Sequence, residues 1–153
     1  MILNRQRAVR VAQRPLKLFL ARVRRELGLA EADLTICFVS DAEIARMNQA
    51  FRKKKGPTDV LSFPEVERAR PVRLPRRSSS RRRNAAGREF LGDVAIAAAT
   101  ARRNAKKFSR ALRDELRILM LHGVLHLLGY DHETDRGEMD RVETRLRKKL
   151  RLK

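Results

Sequence analysis

The sequence predicts a single α+β domain, a small mixed sheet packed with helices around one apolar central helix. Three observations carry that reading. Segments with apolar residues at helical 3/4 spacing alternate with short strand-like runs over 153 residues, a length that suits one domain. Residues 118–128 are apolar nearly all round, the mark of a buried helix. The lone cysteine, Cys37, excludes an intramolecular disulfide and a Cys-rich zinc ribbon, so the fold must rest on a core.

The elements follow in order. Residues 2–11 are weakly strand-like and studded with Arg, which predicts an edge strand. Pro15 suits a first helical position, and Leu16, Phe19, Leu20, Val23 and Leu27 continue that helix to a stop at Gly28. Residues 34–39 read as a strand with Leu34, Ile36 and Phe38 on one face and Cys37, a small buried filler, on the other. Ser40 and Glu43 form a capping box, with Val39 and Ile44 as its hydrophobic staple, and the helix runs on to Phe51. A basic turn, Lys53-Lys54-Lys55-Gly56-Pro57, precedes a short strand over 60–63 closed by Pro64.

Residues 66–88 differ in kind. They hold nine Arg, two Pro and three Ser against one Glu, without apolar period, which predicts a basic flexible loop. A strand over 89–97 and an Ala-rich helix over 98–107 come next. Ser109 is a candidate cap for the central helix, which ends before Gly129. Residues 135–138 can cap a last helix bearing Met139, Val142, Leu146 and Leu150.

Charge narrows the function. Lys and Arg number 37 against 18 Asp and Glu, a net +19, which points to a polyanionic partner, nucleic acid before anionic membrane. The bland alternative is a merely soluble basic protein. The first residues contain no apolar h-region, and no run approaches the roughly 18–20 apolar residues of a membrane span. The expectation is a protein of a reducing, cytoplasmic space with no membrane partner.

The three histidines, His122, His126 and His132, all fall within eleven residues. Positions i and i+4 share a helix face, so His122 and His126 can reach one ion. Gly129 permits the left-handed turn that brings His132 back to the same point. Three neutral imidazoles leave a divalent ion with its full charge and an open position for water, whose pKa it can lower to about 7. The competing reading is three structural histidines, although burying two imidazoles in an apolar helix without a strong partner is costly. The spacing is that of the metzincin pattern H-E-x-x-H-x-x-G-x-x-H. Gly123 occupies the place of the peptidase general base, which argues against a protease while keeping the metal site.

The stretch His122-Gly-Val-Leu-His126-Leu-Leu-Gly-Tyr-Asp-His132 resembles the H-G-x-L-H-L-x-G-Y-D-H signature of the YbeY family of ribosomal RNA maturation endoribonucleases. Asn48-Gln49-Ala50-Phe51-Arg52 is similar to that family's N-x-x-[YF]-R. Residues 58–64, Thr-Asp-Val-Leu-Ser-Phe-Pro, and residues 91–94, Leu-Gly-Asp-Val, match two further motifs in the same order. The resemblance spans roughly residues 34–146. It implies a zincin-like α+β domain over 1–153 that holds one zinc ion through His122, His126 and His132. It also implies metal-dependent cleavage of single-stranded RNA, including maturation of the small-subunit ribosomal RNA 3′ end, and ribosome quality control. RNA and the small ribosomal subunit are the implied partners, with no DNA specificity. The segment 66–88 is longer and richer in Arg than the family pattern and is a candidate electrostatic arm for RNA.

From position alone Arg52 is a surface arginine at a helix end; the resemblance makes it a functional residue of the same cleft. A guanidinium fork suits the charge that develops on phosphoryl oxygens. Asp131 either orients a ligand or accepts a proton, or it caps the turn after Gly129. Asp59 and Asp93 read as turn or backbone acceptors at strand ends. Two other classes stay open: a metal-dependent hydrolase of another substrate, and a non-catalytic ribosome-assembly factor with a structural zinc.

Overall fold

Alternating strands and helices build a four-stranded sheet with helices on both faces in the computed structural model, which describes residues 1–65 and 87–153. Strands β1 (Ile2–Asn4), β2 (Ala32–Val39), β3 (Val60–Pro64) and β4 (Glu89–Ala97) lie in the order β1-β2-β4-β3. The first two and β4 run parallel, and β3 is antiparallel to β4, giving the mixed sheet expected. Helices are α1 (Gln13–Glu26), α2 (Asp41–Arg52), α3 (Ala98–Lys107), α4 (Leu112–Leu127) and α5 (Glu138–Lys149).

Period-two alternation divides the core. Leu34, Ile36 and Phe38 of β2, with Val94 and Ile96 of β4, join the apolar stripes of α1, α4 and α5 in the main cluster. Leu61, Ala95 and Ala97 meet Ile44 of α2 in a smaller one. Cys37 is half-buried against that second cluster, and burial pushes its thiol above the usual range. Helix α4 is the central element, with Met120, Leu121, Val124 and Leu125 wholly buried. No helix among the described residues is long and apolar enough to cross a membrane.

Several boundaries differ from expectation. The first strand is at the edge but stops at Asn4. Gln6 folds the chain away there: its amide nitrogen donates to Asn4 Oδ1 (2.8 Å) and Val9 O (2.9 Å), while its Oε1 accepts from Val9 N (2.9 Å). Helix α1 starts at Gln13, so Pro15 is its third residue, still in the turn whose N–H groups lack intrahelical partners. Ser109 caps nothing. It is left-handed (φ 52°), its amide closes α3 onto Lys106 O, and α4 begins three residues later with Asp114 and Glu115 in its first turn.

The capping box at α2 is half formed: Ser40 Oγ accepts from Glu43 N (3.1 Å), but the Glu43 carboxylate pairs with Arg5 at 3.0 Å. Asp135 does cap α5, accepting from Gly137 N and Met139 N, both at 2.8 Å. Asp93 lies in the middle of β4 rather than at a strand end. The predicted basic loop falls, over 66–86, outside the described residues.

Candidate metal centre and its cleft

Two elements bring the histidines together. His122 and His126 sit one turn apart on α4, and Gly129 (φ 94°) turns the chain so that residues 130–132 fold back. Asp131 shapes this return. Its Oδ1 accepts from Glu133 N (3.0 Å) and its carbonyl accepts from the amides of Thr134 and Asp135. Of the two roles open to Asp131, the turn role is the one its contacts display.

Ring nitrogens of the three histidines lie within 4.8 Å of one another, a set that can hold a metal ion. His122 Nε2 and His126 Nε2 are 3.1 Å apart. Two imidazoles ligating one tetrahedral ion at 2.0–2.1 Å place their nitrogens roughly 3.3–3.4 Å apart, so the pair fits such a centre.

Glu143, on α5, accepts from His122 Nδ1 at 3.0 Å. Burial pushes its carboxyl up, but the hydrogen bond from His122, with Arg147, outweighs this and holds it below the usual range. An ionised carboxylate only accepts, so Nδ1 carries the hydrogen and Nε2 keeps its lone pair toward the other histidines. Burial, then the neighbouring His122 and His132, holds the His126 imidazole below its ordinary value, despite Asp131 and a backbone hydrogen bond at Tyr130. Sequence reasoning missed Glu143. The available signal was an acid four residues after Met139, on the apolar stripe of the last helix.

Gly123, where the peptidase pattern has glutamate, presses α4 onto the sheet: a Cβ there would overlap the methyl groups of Val94. Ser62 Oγ donates to Gly123 O (3.1 Å), tying edge strand β3 to the same helix. Between them opens a cavity of about 650 Å³ whose walls include the three histidines, Ser62, Tyr130 and Arg52. Arg52 thus shares the cleft with the histidines. Its guanidinium is 3.9 Å from Glu133 Oε1, and both side chains are largely exposed, so the pair is weak. Asp59 borders the cavity but is engaged elsewhere, accepting from Asn104 Nδ2 at 3.2 Å.

A three-histidine cluster on a helix and its following turn, beside a small mixed sheet, defines a zincin-like fold. A family model described as Endoribonuclease YbeY matches residues 1–151, and the chain belongs to that family. An Endoribonuclease YbeY of Koribacter versatilis is 37% identical over 152 residues, covering 99% of this chain and 86% of that protein. That of Solibacter usitatus is 40% identical over 148 residues, covering 96% and 86%. A Thermotoga maritima protein solved in solution superposes with a TM-score of 0.61 at 26% identity, covering 97% of this chain and 87% of that one.

Proposed function

We propose that this chain is a zinc-dependent endoribonuclease that cleaves single-stranded RNA in ribosomal RNA maturation, including the small-subunit 3′ end, and in ribosome quality control. Its family and the names of its relatives support an RNA-cutting role. The observation that carries the reading is the meeting of three histidines and one arginine in a single cavity.

His122, His126 and His132 would hold one zinc ion, since three imidazole donors suit it. When bound, the ion supplies Lewis-acid activation of water and of a phosphoryl oxygen. The chain supplies the rest. Glu143 holds the proton on His122 Nδ1 and so points Nε2 into the cleft. His126 stays neutral at pH 7, as a ligand must. Arg52, weakly paired and exposed, turns its planar fork onto the phosphoryl group, where charge develops as the diester is cut. The basic surface, with the Arg-rich segment 66–88 of this single domain, gathers the polyanion. A lone thiol and the charge suit a reducing, cytoplasmic setting.

The test is cleavage of a single-stranded RNA by purified protein with and without chelator, alongside metal analysis. The expected result is bound zinc, cleavage that stops on chelation, and recovery on adding zinc. Undiminished cleavage by metal-free protein contradicts the proposal. So does fully zinc-loaded protein that leaves RNA intact, the behaviour of a non-catalytic assembly factor.

A further inference from the structure

The segment Asn48-Gln49-Ala50-Phe51-Arg52 closes α2, and two of its side chains have evident tasks. Asn48 is buried; its Nδ2 donates to Gly56 O (3.0 Å) and its backbone carbonyl accepts from the amides of Lys53 and Lys54, which shapes the turn into β3. Arg52 reaches the cleft. Phe51 does neither. It is 71% exposed, and its ring meets that of Phe63 edge to face, with centroids 5.0 Å apart and planes at 71°. Most of the phenyl ring therefore stands in water, and the chain continues from it through the cleft arginine to Lys53, Lys54 and Lys55, all exposed.

An exposed aromatic ring followed along the chain by exposed cations suits unpaired nucleotides: the ring takes a base face while the cations take phosphates. We propose that Phe51 is a base-stacking platform for single-stranded RNA. It receives an unpaired base next to the phosphate that Arg52 engages, with the Lys53-Lys54-Lys55 turn along the neighbouring phosphates. Phe63, packed against the ring, limits its rotation and lowers the entropy lost on stacking. The platform also gives a physical source for single-strand preference, because a base inside a duplex has both faces already stacked. This inference rests on the endoribonuclease reading and adds a subsite to it.

The experiment uses the zinc-loaded full chain and a short single-stranded RNA in which one abasic nucleotide is walked through each position. Phe51→Ala is expected to lower kcat/KM about 5- to 150-fold, the loss seen when one base-stacking aromatic is removed. The loss should appear in KM, with kcat and melting temperature nearly unchanged. Phe51→Tyr should retain activity, and Phe51→Leu, which keeps bulk but has no flat face, should behave like the alanine variant. One abasic position should weaken the native protein and have no further effect on Phe51→Ala, as for two halves of one contact.

Equal abasic penalties in both proteins, or a Phe51→Ala variant as active as native, would overturn the stacking role while leaving the nuclease reading intact; the ring would then serve a protein contact. A fall in kcat alone would also overturn it, since Phe51 would then merely position Arg52. If the native protein cleaves no RNA, both readings fall together.

Discussion

Across the cleft, His122 and His126 sit on a helix whose neighbours Met120, Leu121, Val124 and Leu125 are wholly buried, whereas Arg52 ends a helix that opens into three exposed lysines. On the first wall, Glu143 fixes the His122 ring, Gly123 lets the helix lie against Val94, and Ser62 ties it to β3. On the second, the guanidinium makes a weak contact with Glu133 among the described residues. The difference is instructive. A metal centre needs ligands preorganised by core packing, so its geometry is inseparable from the fold. A group that meets a moving phosphate needs reach, and its removal leaves the core untouched.

This contrast can be broken or sharpened by substitution. The largest effect on activity without effect on fold is expected at Arg52. Arg52→Ala should slow cleavage about 10²–10³-fold, the size of losing one oxyanion donor, with metal content and melting temperature barely moved. Arg52→Lys should rescue poorly, because an ammonium cannot make the planar fork. Unfolding of Arg52→Ala at normal metal content would erase the distinction between the walls.

On the histidine wall, Glu143→Ala should weaken metal affinity about 10–100-fold, read by competition with a chelator, because His122 loses the partner that sets its tautomer. Unchanged affinity would mean that helix packing alone orients the ring. The smallest effect on the site's chemistry, though not on stability, is expected from Gly123→Ala. Forcing a methyl against Val94 should cost about 1–3 kcal/mol of stability in urea unfolding while the histidines keep their metal. A neutral result would show that α4 can lift from the sheet without penalty.

The two walls were also unequally legible in the sequence. The i, i+4 histidines, Gly129 and the third histidine are a local pattern, fixed by helix geometry and one turn, so the clustering of the three rings could be read directly. The burial stripe of β2 and the all-apolar second half of α4 were legible for the same reason. Contacts between elements were not. Glu143 reaches His122 from 21 residues away, and only the packing of α5 on α4 brings it there. Arg52 shares a cavity with histidines on α4 and the turn after it, a tertiary arrangement that spacing cannot display. The misplaced ends had local causes that propensity averages over. A glutamine side chain ended β1, and a left-handed serine closed α3 where a cap was expected for α4.

The central claim, that the three histidines form one metal centre, is tested most directly by X-ray absorption on the purified zinc-loaded chain, with His126→Ala as the comparison. The account predicts one zinc per native chain, bound by three imidazole nitrogens at about 2.0–2.1 Å, and loss of most metal in His126→Ala. Full occupancy in His126→Ala, or a native zinc bound by sulfur or carboxylates in place of the imidazoles, would contradict it.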